Sequence, residues 1–146
     1  MDRVVAEIKK YPTSDIIATR DTHSESYLDT QEGKNLPVPH CIKGTHGWEL
    51  HPKIAAALDG AFIIDKPTFG STELAERLAC LNQEGDLSIT LVGLCTDICV
   101  ASNALLIKAF LPETPLRVIE SCCAGVTTKS HRAALDTMRM CQIQIQ

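Results

Sequence analysis

The stretch LVGLCTDICVASNAL, residues 91–105, decides how the rest of the sequence is interpreted. An apolar run ends at Gly93, and a helical pattern that contains Cys95 and Cys99 begins a few residues later. In an open α/β sheet, ligands bind beyond the carboxyl ends of the strands, where helix N-termini point. We expect this helix to begin near Asp97, so that unpaired N–H groups and the helix dipole stabilise a Cys99 thiolate. Cys99 is therefore a candidate nucleophile, although a free cysteine can also be a small buried apolar residue.

The other cysteines are weaker candidates. Cys95 lies in the turn before the helix, which makes it a poorer nucleophile than Cys99. We expect the remaining five to be structural: Cys41, Cys80, Cys122, Cys123 and Cys141. Seven cysteines is an odd number, and the first residues are charged and amphipathic, unlike a signal peptide. We therefore interpret all seven as reduced thiols of a cytoplasmic protein.

Strand-like and helix-like segments alternate along the chain. Short apolar segments typical of strands lie at 15–19, 61–65, 87–93, 116–120 and 142–146. Helical patterns lie at 2–11, 52–59, 72–83, 97–110 and 128–140, with Thr72 as a candidate cap of the third and Thr127 or Thr128 of the last. The alternation predicts one α/β domain over residues 1–146, with a parallel central sheet between helices in a three-layer α/β/α arrangement.

The composition argues against two kinds of partner. The chain has 146 residues, of which 45% are hydrophobic and 22% charged, and its net charge is −4. An acidic chain of this kind offers no basic surface for a nucleic acid. No run of about 18 apolar residues predicts a membrane span.

The long polar stretch 21–51 contains a possible metal site. Asp21 and His23 are two residues apart at the end of a predicted strand, so both side chains can point at one ion. His40 follows in the same stretch and can complete a set of one carboxylate and two imidazoles, which suits Zn²⁺, Fe²⁺ or Mn²⁺. The alternative is that these are ordinary surface histidines. The other histidines have no such pattern: we expect His46 and His51 to be exposed and His131 to lie on a helix surface.

Several segments together resemble one family. Residues 93–100, GLCTDICV, resemble the nucleophile motif of the isochorismatase-like cysteine hydrolases, the superfamily that includes the nicotinamidases. Four further segments agree with it in order and spacing: TRDTH (19–23), PVPHCIKGTHGWEL (37–50), DKPTFGST (65–72) and ESCCAGVTTKSHRAALDTM (120–138). The resemblance covers nearly the whole chain and implies an isochorismatase-like, Rossmann-like fold.

The resemblance also implies a reaction. Cys99 would attack an amide carbonyl to form an acyl-enzyme that water then hydrolyses, and Lys66 would sit beside its thiolate. The backbone amides of Cys95 and Cys99 would form the oxyanion hole, and the bond Leu94–Cys95 would be cis. We expect Asp97 to cap its helix.

Nicotinamidases, which convert nicotinamide to nicotinate and ammonia, use an Asp-His-His metal set. The resemblance therefore implies Asp21, His23 and His40 as ligands of a divalent metal, with zinc the first choice and iron or manganese as alternatives. Phe69 and Leu94 are candidate substrate-contacting residues. Nicotinamidases often place a tryptophan before the Pro-x-x-His segment, but this chain has Asn35 and Leu36 there.

One part of the family pattern is not found. The family's first strand, central in its sheet, carries an aspartate that acts as general base, and this chain begins inside the helix that should follow it. Neither Asp2 nor Asp65 matches that aspartate. We expect a chain that begins at Met1 to hydrolyse its substrate weakly or not at all, unless another chain fills the gap or the sheet is modified.

Three readings of the function therefore stay open. The first is a nicotinamidase-like amidohydrolase. The second is another superfamily hydrolase, acting on a different small amide or on a vinyl ether. The third is a non-catalytic form that keeps the fold without the base. Family resemblance and an exposed sheet edge also lead us to expect a homo-oligomer.

Overall fold

The computed structural model describes all residues, Met1–Gln146, and has the predicted α/β class. The strands are β1 (Ile17–Asp21), β2 (Phe62–Lys66), β3 (Ile89–Leu94), β4 (Leu116–Ala124) and β5 (Gln144–Ile145). The helices are α1 (Asp2–Ile8), α2 (Gln31–Asn35), α3 (Pro52–Ala57), α4 (Thr72–Glu84), α5 (Ala101–Phe110) and α6 (Thr128–Met140). None of them combines the length and the apolar character that crossing a membrane requires.

The parallel strands form two sheets rather than one continuous sheet. β1 pairs with β2 in parallel, from Ile17 opposite Phe62 to Asp21 opposite Lys66. β3, β4 and β5 form the second sheet, also in parallel. The predicted α/β class with parallel strands is confirmed, and the parallel ladder is interrupted at one point, because no strand is hydrogen-bonded between β1 and β3.

A shared apolar core holds the two sheets together. It consists of 13 buried residues and includes Ile64 of β2, Val118 of β4, Ile107 of α5 and Leu135 of α6. Burying each large aliphatic side chain of this kind contributes roughly 1.5–3 kcal/mol. Because Ile64 packs in the same cluster as the second sheet, the carboxyl ends of β1, β2 and β3 can contribute to one site.

Helix ends differ in detail from the sequence prediction. The cap of α4 is Ser71, whose hydroxyl accepts a hydrogen bond from the Leu74 N–H, so the assignment of Thr72 was wrong. The cap of α6 is Thr127, which forms a reciprocal capping box with Ser130. At the end of β3 the pairing with β4 shifts between Leu91 and Gly93, where Gly93 has a φ of 128° that favours glycine.

Candidate active site

Cys99 lies in a turn of π-helix rather than in the first turn of an α-helix. The turn spans Thr96–Val100, and α5 begins only at Ala101. The carbonyl of Cys95 accepts hydrogen bonds from the N–H groups of Ile98 and Val100, at 3.1 and 3.0 Å. The wider turn follows directly from the end of β3, and the bond Leu94–Cys95 is cis, as expected.

Lys66 lies next to the sulfur of Cys99. Its Nζ is 3.4 Å from Cys99 Sγ, 3.2 Å from Asp21 Oδ1 and 2.9 Å from the carbonyl of Thr68. The side chain is only 4% exposed, so its charge is compensated mainly by these groups rather than by water. Strand β2 thus places an ammonium group between a carboxylate on β1 and a thiol after β3.

The other two thiols near this point are less suited to ionise. Burial, reinforced by the charge of Asp21, raises the pKa of Cys41, and the ammonium of Lys66 only partly opposes this. Burial also raises the pKa of Cys95, with further contributions from Asp97 and Cys99. Both thiols therefore stay protonated at neutral pH, whereas the sulfur of Cys99 has an ammonium partner.

Asn103 connects the nucleophile turn to the segment after β2. Its Nδ2 donates to the carbonyls of Cys99 and Phe69, at 2.8 and 3.3 Å, and its Oδ1 accepts from the N–H of Ser71 at 2.9 Å. Asn103 is 5% exposed, so all its polar atoms depend on these partners. Sequence analysis missed this residue, although a polar residue among the apolar positions of α5 was a visible signal.

The two residues predicted to contact substrate are both accessible. The side chain of Phe69 is 44% exposed and that of Leu94 is 66% exposed. Trp48 does not join them, because its Nε1 donates to Thr22 at 2.8 Å and the guanidinium of Arg20 stacks 3.5 Å above its ring. Phe69 and Leu94 therefore remain the exposed apolar candidates for substrate contact.

The predicted metal residues are close together, and a fourth residue joins them. Asp21, His23, Glu32 and His40 each offer a ligand atom within 4.8 Å of the others. His23 Nε2 lies 3.5 Å from Asp21 Oδ2 and 3.7 Å from Glu32 Oε1. His40 Nε2 lies 3.9 and 3.6 Å from the same two oxygens. Sequence analysis missed Glu32, although a carboxylate between His23 and His40 in one polar stretch was the available signal.

The hydrogen-bonding pattern of this group leaves one nitrogen of each histidine free to bind a divalent metal. His23 Nε2 is buried and has no hydrogen-bond partner, which costs free energy unless something binds its lone pair. His40 Nδ1 lies 2.9 Å from the carbonyl of Val38, so it carries the proton and leaves Nε2 free as a ligand. Two imidazole nitrogens and two carboxylates in this arrangement form a donor set for a divalent cation.

Tyr27 supports the two histidines. It is 1% exposed, and its ring lies 4.8 Å from the His23 ring and 4.9 Å from the His40 ring between centroids. Its hydroxyl donates to the carbonyl of Leu36 at 2.9 Å. A Cβ atom on Gly33 would overlap the Tyr27 carbonyl, so glycine is needed where α2, which contains Glu32, packs on this residue. Burial, with the nearby carboxylates of Glu32 and Asp21, raises the pKa of Tyr27.

Asp97 and His131 make different contacts from those expected from the sequence. Asp97 does not cap a helix; its carboxylate accepts from the N–H of Val126, at 3.1 and 3.2 Å. His131 is not on an open helix surface; its side chain is 16% exposed, and its Nδ1 lies 2.8 Å from Thr96 Oγ1. His46, by contrast, is exposed as predicted, and His51 is exposed and caps α3 through its ring nitrogen.

Two sizeable grooves lie away from these residues. One, of about 550 Å³, is lined by Arg3, Lys10 and Arg117, and the other, of about 660 Å³, lies beside Asn82 and Glu113. Neither includes Cys99, Lys66 or a member of the metal group. The candidate active site therefore lies at the carboxyl ends of β1, β2 and β3 rather than in either groove.

Comparison with known proteins defines the family. The Isochorismatase domain matches residues 1–146. The nicotinamidase/pyrazinamidase of Mycobacterium tuberculosis is 28% identical over 141 residues, which cover 89% of this chain and 75% of that protein. The chain therefore belongs to the isochorismatase family, and its likeness to this relative identifies it as an enzyme of the amidohydrolase type.

Solved structures agree with the fold. The pyrazinamidase/nicotinamidase of Streptococcus mutans superposes with a TM-score of 0.81 at 25% identity, covering 99% of this chain and 83% of that one. The pyrazinamidase of Pyrococcus horikoshii in complex with zinc gives a TM-score of 0.70 at 21% identity, covering 99% of this chain and 85% of that one. The resemblance drawn from the sequence motifs is confirmed.

Proposed function

We propose that the protein hydrolyses a small amide through Cys99, with nicotinamide as the leading substrate and nicotinate and ammonia as products. The observation that carries this proposal is the 3.4 Å separation of Lys66 Nζ and Cys99 Sγ. An adjacent ammonium favours the thiolate over the thiol, and the thiolate is the nucleophilic form.

The reaction then has two halves. The Cys99 sulfur forms a bond to the amide carbon, and the carbonyl oxygen becomes an oxyanion. The backbone amides of Cys95 and Cys99 donate to that oxygen. As the adduct collapses, the amide nitrogen takes a proton from solvent water and the C–N bond breaks, so ammonia leaves and a thioester remains. Attack by water on the thioester carbon breaks the C–S bond, releases nicotinate and two protons to solvent, and returns the thiolate beside Lys66.

Asp21, His23 and His40, with Glu32 as a fourth ligand, would hold a divalent metal in this proposal, and zinc is our first choice. A relative of the same fold, the pyrazinamidase of Pyrococcus horikoshii, was crystallised in complex with zinc. When bound, the metal would supply a Lewis acid for the ring nitrogen of the substrate and for water. Lys66 couples the two parts of the site, since it bonds both Asp21 and Cys99.

Substrate contact is assigned to Phe69 and Leu94, whose apolar side chains are exposed and so accessible to the ring of a substrate. A different small amide or a vinyl ether would use the same face and is an alternative outcome of the assay. We also propose a cytoplasmic location and a homo-oligomeric state. Light scattering of the purified protein, which measures molar mass, would test the homo-oligomeric state.

A binding protein without turnover is the second candidate, and one observation favours it. The sulfur of Cys99 has Lys66 as its hydrogen-bond partner and no carboxylate in that role. A proton acceptor for the thiol and for the attacking water would then be lacking. If this limits the rate, added formate, a small carboxylate, increases ammonia release from the wild-type protein.

The deciding experiment measures ammonia release from nicotinamide, with and without a chelator. Release that disappears in Cys99→Ala and falls with the chelator supports the amidohydrolase. Covalent trapping of Cys99 by a mild electrophile, without any ammonia release even with formate, supports the binding protein instead. Release that continues unchanged in Cys99→Ala contradicts the proposal.

A further inference from the structure

His131 makes a specific contact with the turn that contains Cys99. Its Nδ1 lies 2.8 Å from the hydroxyl oxygen of Thr96, and these residues are 35 positions apart in the sequence. Thr96 is 0% exposed, so its hydroxyl has no access to water. A buried hydroxyl without a partner is costly, so the ring of His131 has a strong effect on how Thr96 is oriented.

The start of α6 packs closely on the nucleophile turn at His131. A Cβ atom placed on Gly125 would lie 2.8 Å from His131 Cβ and 3.1 Å from Asp97 Oδ1. The residue at 125 must therefore be glycine for the start of α6 to come this close to the nucleophile turn. The capping box of Thr127 and Ser130 fixes the first turn of the same helix.

A carboxylate lies near the ring nitrogen of His131 that faces away from Thr96. Glu120 Oε1 lies 3.9 Å from His131 Nε2, and Glu120 is in turn 3.8 Å from Arg139 Nη2. The carboxylate favours a proton on Nε2, so in the neutral ring Nδ1 accepts a hydrogen bond from the Thr96 hydroxyl. Asp97, which receives the Val126 N–H, joins the same two segments at a second point.

Thr96 lies between the two parts of the proposed oxyanion hole. It follows Cys95 directly, and the Cys95 carbonyl accepts the N–H groups that close the turn before Cys99. A change in the orientation of Thr96 would rotate the peptide groups on either side of it. Donors that stabilise an oxyanion act only when they point at the developing charge, so small rotations reduce the rate.

We propose that His131 is a positioning residue: through its hydrogen bond to Thr96 it holds the Thr96–Val100 turn in the shape that hydrolysis requires. The inference rests on the proposed function for its catalytic consequence, but the shape of the turn can be measured independently of turnover. His131 does not touch substrate in this proposal. Its replacement therefore weakens stabilisation of the transition state and leaves substrate binding unchanged.

The test compares three variants in the full chain. His131→Leu removes the ring nitrogens, His131→Asn keeps a polar atom near the position of Nδ1, and His46→Leu is a matched control because His46 is 99% exposed. We expect kcat for nicotinamide to fall about 10- to 100-fold in His131→Leu, with KM little changed. In His131→Asn, kcat should return most of the way to the wild-type value. His46→Leu should match the wild type.

Hydrogen exchange gives a readout that does not need turnover. The N–H groups of Ile98 and Val100 should lose about tenfold in protection in His131→Leu but not in His131→Asn, while the centre of α5 stays unchanged. If the wild type releases no ammonia, the proposed function fails and this measurement alone decides the role of His131. Unchanged protection in His131→Leu, or equal loss in both His131 variants, overturns the inference.

A second pair of variants guards against misfolding of His131→Leu. Thr96→Val removes the hydroxyl with little change in volume, whereas Thr96→Ser keeps it. If the two side chains act through one hydrogen bond, Thr96→Val combined with His131→Leu has the same effect as either change alone. Additive effects would show that His131 acts by another route and would contradict the inference.

Discussion

Lys66 Nζ lies 3.4 Å from Cys99 Sγ, although Lys66 ends β2 in one sheet and Cys99 follows β3 in the other. The same ammonium is 3.2 Å from Asp21 Oδ1 at the end of β1. A single buried cation therefore joins the thiol, the metal group and both sheets. Because no strand is hydrogen-bonded between β1 and β3, this contact depends on the shared core rather than on a continuous ladder.

Replacing Lys66 by Met should make Cys99 less reactive. Met fills much of the same space but removes the ammonium that lies 3.4 Å from the sulfur, so negative charge on that sulfur loses its nearest partner. We expect alkylation of Cys99 by iodoacetamide at pH 7 to slow about tenfold or more, measured by mass spectrometry of the modified peptide.

Lys43→Met is the matched control, because Lys43 is 66% exposed and pairs only with Asp65, at 3.6 Å. It should leave the alkylation rate unchanged, which separates a local effect from a change in net charge. Equal rates in Lys66→Met and the wild type would show that the ammonium has no influence on the sulfur.

Replacing Cys99 by Ala should abolish amide hydrolysis, whereas Cys41→Ala should not. Burial and the charge of Asp21 raise the pKa of Cys41, which keeps that thiol protonated at neutral pH. The initial rate of ammonia release from nicotinamide distinguishes the two variants. If Cys41→Ala is as inactive as Cys99→Ala, and circular dichroism shows that both proteins are folded, the assignment of Cys99 as the only nucleophile is contradicted.

Much of the candidate site could be located from the sequence, because Asp21 and Cys99 follow predicted strand ends and the family resemblance pointed to Lys66. Asp21, Lys66 and Cys99 each lie at or just after the carboxyl end of a strand, and parallel strands bring those ends to one edge. His23 and His40 were found through their spacing and the family resemblance. The roles of these residues remain predictions, although their proximity is a property of the structure.

The missed residues act through contacts that spacing does not reveal. His131 looked like an exposed residue of α6 because the pattern of one helix does not show what packs against its first turn. Glu32 depends on a short helix of five residues, α2, whose orientation follows from the contact between Gly33 and Tyr27. Tertiary packing of this kind is not encoded in local periodicity.

Glu32→Gln should weaken metal binding. The change removes one of two carboxylates in the group but keeps the shape of the side chain, so the remaining ligands carry less negative charge. We expect the affinity for Zn²⁺, measured by competition with a chromophoric chelator, to fall at least about tenfold.

Glu25→Gln is the control for this change, because Glu25 is an exposed acidic residue of the same polar stretch and is outside the metal group. It should bind Zn²⁺ as the wild type does. If the two variants have the same affinity, Glu32 is not a ligand and the set reduces to the three residues proposed from the sequence.

Cys123 should make the protein less stable at alkaline pH. Burial raises the pKa of its thiol to about 11 from an ordinary 9.0, although a hydrogen bond from the Gly93 N–H partly opposes this. Between these two pH values the unfolded chain loses the thiol proton while the folded chain keeps it. The unfolded state then binds fewer protons than the folded state, so stability falls as the pH rises.

The free energy of unfolding, measured in urea with a reductant present, should therefore fall more steeply with pH in the wild type than in Cys123→Ala. A full proton would correspond to about 1.4 kcal/mol per pH unit, and we expect a smaller slope because Cys123 is only partly buried and solvent screens its charge. Cys80→Ala is the control, because Cys80 is exposed and should leave the slope of the wild type unchanged. Parallel slopes for all three proteins from pH 9 upward would mean that the folded and unfolded thiols of Cys123 ionise alike, and that β4 leaves this sulfur open to water.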